Sequence, residues 1–253
     1  MLTRVFSALA ATALVATART VPTSTCVKFE STYDVIGFST YLDDTAAAAS
    51  LPGTEWTIAM WYKPLAGQER LTLFAAAFLL QAYTSEGALD MHFAYNDATI
   101  FVANLPSNVG EGEWRHFAVS VNSTTITAYM NGVEFAAEER PAVHNFGDLA
   151  KFMTIGKYAN WEYSLEQTSI ANPEYTIIVL MDDFAIFSAA KTHQQIADIY
   201  NNGMTGLESD LSIYFDFEDG TGTTVTNQGA AGARFNGVFG AFANGVDSTT
   251  SDR

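Results

Sequence analysis

The stretch that most narrows the choice of folds is EGEWRHFAVSVNSTTITAYMNGVEF, residues 111–135. In an extended chain successive side chains point to opposite faces, so Phe117, Val119 and Val121 fall on one side and His116, Ala118 and Ser120 on the other. The polar Asn122-Ser123-Thr124 makes a turn, after which Ile126, Ala128 and Met130 again share a face. Asn131-Gly132 then supplies the positive φ angles of a two-residue type I′ turn, the strongest short-range hairpin signal. Slipping the register by one residue would turn every apolar side chain towards water, so the pairing is strongly specified. Residues 115–136 are therefore expected to form a three-stranded antiparallel meander.

The same grammar recurs along the chain. CVKFE is followed by an Ala-rich link, DDTAAAASLPG, and then by EWTIAMWYKP, where Trp56, Ile58 and Met60 share one face and Thr57, Ala59 and Trp61 the other. LTLFAAAFLLQAY, ambiguous by period, is read as one buried strand from its neighbours. ALDMHFAY and ATIFVANL form a hairpin around Asn96-Asp97, and YTIIVLMDDFAIF is a pair of strands or one bent strand. In LSIYFDFED, Leu211, Ile213, Phe215 and Phe217 are expected on one side. One helix is convincing: Thr192 and Gln195 have capping-box spacing, Ile196, Ile199 and Tyr200 make a stripe, and Gly203 is the stop. Many strands with turn signals between them and one short helix near 192–202 give an all-β fold, a two-layer antiparallel β-sandwich.

The start of the chain is expected to be removed. Arg4, an apolar run from Val5 to about Val15, and Ala16-Thr17-Ala18 have the layout of a signal peptide over 1–18. Residues 19–253 are then read as one domain of the size some β-sandwiches reach, about 200–250 residues. The longest later apolar stretch, LFAAAFLL, is far short of the roughly 20 residues of a spanning helix. The expectation is a secreted or cell-surface protein. A formal net charge of −16 argues against nucleic acid and anionic membranes as partners, and suits cations or neutral glycans better. The single cysteine, Cys26, can make no internal disulfide, and is read as a buried thiol at a strand start rather than an interchain bond.

Six segments occur in an order that resembles a known family. They are WTIAMWYKP (Trp56–Pro64), GEWRHFAVSV (Gly112–Val121), YMNGV (Tyr129–Val133), TIG (Thr154–Gly156), MDDFAIF (Met181–Phe187) and IADIYNNG (Ile196–Gly203). Together they resemble the laminin-G-like jelly-roll domains, relatives of pentraxins and concanavalin A-type lectins, over about 27–204. The resemblance implies a jelly-roll sandwich. It also implies that residues 211–237 look like the segment that usually opens such a domain. Here that segment either begins a second repeat or, in the preferred reading, supplies a terminal strand beside 179–187, as in a circular permutation.

Sites follow from the same residues. The concanavalin-like enzymes resembled cleave glycans with paired carboxylates, but Glu-x-Asp-x-x-Glu is absent; Asp216 and Glu218 have the spacing of ordinary solvent-facing residues, so no catalytic residue is assigned. His92, His116, His144 and His193 form no His-x-x-x-His pair for zinc. Some members of the family resembled carry a rim Ca²⁺, which implies Asp182 and Asp183, just ahead of the last apolar strand, with Asp43 and Asp44, as candidate ligands. The 158–174 loop offers Tyr158, Trp161 and Tyr163 as stacking faces with Asn160 among them, a composition suited to sugar or protein contact. Asn122-Ser123-Thr124 is an N-glycosylation sequon on a turn. The expected function is recognition of a glycan or extracellular glycoprotein, with or without Ca²⁺. The alternatives are a structural subunit of an extracellular homo- or hetero-oligomeric assembly and, well behind, a glycosidase.

Overall fold

The computed structural model describes residues 25–29, 36–39, 51–65, 70–76, 80–85, 88–93, 99–104, 112–140, 143, 145–149, 152–156 and 179–239. The expected leader, Asp43, Asp44, and loop residues Tyr158, Asn160, Trp161 and Tyr163 lie outside the described residues. Chain order is β1 (Val27–Phe29), β2 (Ile36–Ser39), β3 (Trp56–Pro64), β4 (Arg70–Ala76), β5 (Leu80–Ser85), β6 (Ala88–Phe93), β7 (Thr99–Asn104), β8 (Arg115–Val121), β9 (Thr125–Met130) and β10 (Val133–Glu139). A single helical turn, α1 (Phe146–Leu149), leads to β11 (Phe152–Ile155). Then come β12 (Val179–Phe187), α2 (His193–Asn202), β13 (Leu211–Phe215), β14 (Thr224–Val225) and β15 (Gly237–Phe239).

The strands make two antiparallel sheets. One runs β1-β12-β3-β8-β9-β10, with β13 also paired to β12; the other runs β14-β15-β2-β11-β4-β5-β6-β7. Their facing sides share one core in which Trp56, Ile58, Met60, Phe117, Val119, Val121, Ile126, Ala128 and Met130 meet Ile36, Phe38, Leu73, Phe74 and Ile155. The period-two reading of β3, β8 and β9 therefore holds residue by residue, and Phe117, Val119 and Val121 are fully buried.

The outer face of the first sheet is buried too, for a reason visible in the register. Tyr214, Ala185, Ala59, Ala118 and Tyr129 lie opposite one another in a row across five strands. Three methyl groups between two phenol rings leave a shallow trough, and α2 fills it with Ile196, flanked by Ile199. The approach to α2 is tied down by polar groups on this face. Thr57 Oγ1 donates to the Ala189 carbonyl at 2.9 Å, Ser120 Oγ donates to the Lys191 carbonyl at 2.8 Å, and Lys191 N donates to Thr57 Oγ1 at 2.9 Å. Lys191 Nζ is 2.8 Å from both Asp210 carboxylate oxygens and 4.3 Å from the Phe187 ring centroid. The capping box forms as expected, with Thr192 and Gln195 each closing on the other's backbone. At the far end Tyr200 packs on the β9–β10 turn. A Cβ on Gly132, which has φ +76°, would come within 2.9 Å of the Tyr200 ring, so the Asn-Gly turn serves the helix as well as the hairpin.

Three expectations are corrected. The apolar run 71–83 is not one strand but the hairpin β4–β5, with Arg70 opposite Ser85 and Ala76 opposite Leu80; no Gly, Pro or Asn announces its turn. Leu211 does not share the side of Ile213 and Phe215. A register shift between Ile186 and Phe187 swings it to the outer face, where it joins Phe187 and Ile196. Asp182 and Asp183 do not precede the last apolar strand but lie inside it.

The exposed edges are blunted. Beyond β13, Tyr214 N donates to Asn227 Oδ1 and Gln228 N to the Tyr214 carbonyl, both at 2.9 Å, so the strand's outer edge is occupied by its own loop. Edge strand β10 exposes Glu134, Glu138 and Glu139, charges that oppose further strand addition. Because the alanine trough is closed by a packed helix, Ala118→Leu is expected to overpack it and lower stability by about 1–3 kcal/mol, read by urea unfolding, with an unchanged β-sheet circular dichroism spectrum.

Candidate functional site

The corner around Phe29 organises one rim of the sandwich. Phe29 is fully buried and lies opposite Val179, where β12 begins. At the end of β11, a Cβ on Gly156 (φ +80°) would lie 2.6 Å from the Phe29 ring, so only glycine allows the chain to leave so close to it. Gly156 and Val179, the described residues that flank 157–178 with Tyr158, Asn160, Trp161 and Tyr163, thus both lie at this corner. Val179 is also opposite Pro64, whose carbonyl accepts from Gly112 N at 2.9 Å. Arg115 places its guanidinium 5.8 Å from the centroid of the buried Tyr62 ring.

Beside this corner the sheet edge has an unusual join. Both β1 and β13 pair with the edge of β12 that faces away from β3, β1 with 179–181 and β13 with 184–187. They meet end to end opposite Asp182 and Asp183. Against β3 the register shifts between Asp182 and Ala185, and Asp183 takes a left-handed φ of 52°. This is a β-bulge, tolerated because a short acidic side chain accepts that conformation more readily than a branched one. Asp182 is almost wholly buried and its Oδ1 accepts from Asp183 N at 2.9 Å. Asp183 Oδ1 accepts from the Tyr214 hydroxyl at 2.5 Å. Burial, and then the Asp183 carboxylate, push the Tyr214 phenol far above its usual range.

The join also gathers negative charge. Burial raises the Asp216 carboxyl above its ordinary 3.8, with Asp219, Glu218 and Asp183 adding to the rise against a hydrogen bond from Glu218 N. Cys26, half-buried just ahead of β1, has its thiol pushed up by burial and by Asp182. Phe217 returns to the core through a left-handed φ of 54°, which separates it from the solvent-side Glu218 without a regular strand between them. Asp219 is taken by Thr226, whose N and Oγ1 donate to it at 2.8 and 2.5 Å. Asp216 and Asp219 are therefore held in turn hydrogen bonds, and Asp183 answers a tyrosine.

Of the four carboxylates assigned to calcium, the structure brings Asp182 and Asp183 side by side, already engaged as acceptors. Among the described residues no group of three or more His, Cys, Asp or Glu side chains is placed to hold a metal ion. The described residues alone do not fit a calcium site. Sequence reading missed the Tyr214–Asp183 bond and the stack of Trp61 on Tyr200, centroids 5.6 Å apart, with His116 edge-on to Trp61 at 5.3 Å. Both depend on a bulge and a helix docking that no local pattern encodes. Asn122 sits where expected, on the β8–β9 turn.

A family model described as the concanavalin A-like lectin/glucanases superfamily, laminin-G-like, matches residues 37–197. No curated protein matches the sequence significantly. Among solved structures, a protein from Bacteroides ovatus described as a proposed carbohydrate binder superposes with a TM-score of 0.63 at 15% identity, covering 88% of this chain. The present chain spans 59% of that protein's length. The CBM40 module of the Ruminococcus gnavus IT-sialidase, bound to α2,3-sialyllactose, superposes with a TM-score of 0.50 at 13% identity over 69% of this chain and 96% of its own. Both share the fold.

A carboxyl whose folded pKa is raised holds its proton more tightly in the folded chain, so its contribution to stability is present at low pH and is lost as pH rises above 3.8 through the raised value. Asp216→Asn keeps the acceptor for Glu218 N and removes that loss. The variant is expected to be more stable than the parent at pH 7 and indistinguishable from it near pH 3, in paired denaturant titrations.

Proposed function

Because the chain belongs to the concanavalin A-like lectin/glucanases superfamily, we propose that it is an exported recognition module that binds a neutral oligosaccharide at the rim beside Phe29. The observation that carries this reading is that Gly156 and Val179, which flank residues 157–178, both lie at Phe29. The sequence places three aromatic residues and an asparagine, Tyr158, Asn160, Trp161 and Tyr163, in the segment between them. The apolar face of a pyranose stacks on an indole or phenol ring, and its hydroxyls need a side chain that both donates and accepts, which Asn160 supplies. Folds resembling this one include the sialyllactose-bound module and the Bacteroides ovatus protein, which supports a carbohydrate ligand. A net charge of −16 disfavours an anionic sugar, so the neutral class is preferred.

Hydrolysis is not part of the proposal. Asp216 and Asp219 are occupied by turn hydrogen bonds and Asp183 by Tyr214, an arrangement that leaves none of the three as a paired acid and base across a cleft. Calcium enters only through Asp43 and Asp44, which would have to join Asp182 and Asp183. Among the described residues no helix is long and apolar enough to cross a membrane, and export rests on the expected leader.

The test is calorimetric titration of the parent and Trp161→Ala with neutral oligosaccharides and with α2,3-sialyllactose, each with and without chelator. The proposal expects saturable binding of a neutral sugar, a loss of at least about tenfold in Trp161→Ala, since stacking on one ring is worth about 0.5–1.5 kcal/mol beyond the area it buries, and weaker binding of the sialylated sugar. Binding unaffected by Trp161→Ala would move the site elsewhere. Concentration-dependent self-association with no sugar signal would replace recognition by an assembly role.

A further inference from the structure

We propose that Asn122 carries an N-linked glycan, and that the fold projects it from the end of the sandwich opposite the recognition rim. The inference does not depend on which ligand the rim takes. Asn122-Ser123-Thr124 is the only Asn-x-Ser/Thr sequence in the 253 residues. It occupies the β8–β9 turn, with Ser123 and Thr124 exposed.

The turn fixes which way the amide points. Thr124 N and Thr125 N donate to Asn122 Oδ1 at 2.8 and 2.7 Å, and Thr124 Oγ1 donates to it at 3.2 Å. Backbone N–H groups can donate only to the amide oxygen, so the amide cannot flip, and Nδ2 is directed away from the turn. The frame behind it is stiff. Arg140 Nη1 donates to the Asn122 carbonyl at 2.9 Å and to the Thr54 carbonyl at 2.6 Å, and Arg140 N donates to the Thr124 carbonyl at 2.7 Å. A sugar on Nδ2 breaks none of these bonds.

The register gives the direction. Val121, next to Asn122, lies opposite Trp56 at one end of β3, whereas Val179, where the 157–178 loop returns, lies opposite Pro64 at the other. At about 3.3 Å per residue the two ends of β3 are roughly 26 Å apart. The glycan therefore leaves the rim open and shields the opposite end.

The co-reactant is a lipid-pyrophosphate-linked oligosaccharide of a eukaryotic secretory pathway. Nδ2 attacks the anomeric carbon, the bond from that carbon to the phosphate oxygen breaks, and the pyrophosphate leaves with the electron pair. A new carbon–Nδ2 bond forms, one of the two amide protons is lost to a base, and nothing is oxidised or reduced.

The full chain would be expressed in a eukaryotic secretory host, with a parallel arm in which a heterologous leader precedes residue 1, so that failure of export is distinguished from failure of modification. The secreted parent is expected to show one mass step removed by an N-glycan amidase, with conversion of Asn122 to aspartate in peptide mass spectrometry. Thr124→Ser should keep the step, and Thr124→Val, which replaces the hydroxyl by a methyl group, should lose it. A secreted parent without the step, or a step that survives Asn122→Gln, overturns the proposal.

Discussion

Strands β3, β8 and β12 are buried on both faces, and the rest of the molecule depends on that double burial. On the inner face Trp56, Ile58, Met60, Phe117, Val119, Val121, Phe184 and Ile186 exclude water against the second sheet. On the outer face Ala59, Ala118 and Ala185 are small enough to admit a helix. An antiparallel sheet normally leaves one face to solvent. Here the alanine row and the paired hydroxyls of Thr57 and Ser120 give the outer face something to pack against and something to bond to. With both broad surfaces of the central strands spent on stability, turns and strand ends are what these strands leave for recognition.

The second constraint is the shared edge of β12. The first described strand and the last long one, far apart in sequence, lie in line along it, and the break between them falls at Asp182 and Asp183. A continuous strand would have paired these residues regularly. The break instead produces a bulge, two left-handed non-glycine residues in Asp183 and Phe217, and a concentration of carboxylates. Asp183 N donates to the buried Asp182, Tyr214 donates to Asp183, and Asp219 and Thr226 close the turn that follows. The acidic cluster is thus a product of how two chain segments join.

Much of this was legible residue by residue, and the failures share a cause. The meander at 115–136 was readable because burial on the core face and an Asn-Gly turn agree, and α2 because cap, stripe and stop agree. The β4–β5 hairpin escaped because the run from Leu73 to Leu80 that contains its turn is wholly apolar and uses no turn residue, which leaves period alone to decide. Leu211 and the Asp182–Asp183 pair were misplaced because a bulge shifts the period by one residue, and bulges arise from long-range register rather than local composition. At the rim, sequence composition identified which loop carries aromatic and polar side chains, but not that Gly156 and Val179 would root it on one phenylalanine.

The rim at Phe29 is therefore the surface on which the functional account rests. Hydrogen–deuterium exchange of the full chain with and without a saturating neutral oligosaccharide tests it most directly. The account predicts slowed exchange confined to residues 157–178 and the segments that root them, 152–156, 179–181 and 25–29, with the 122–125 turn and α2 unchanged. Protection centred on α2 or on the 216–226 turn, with none at that corner, would contradict it.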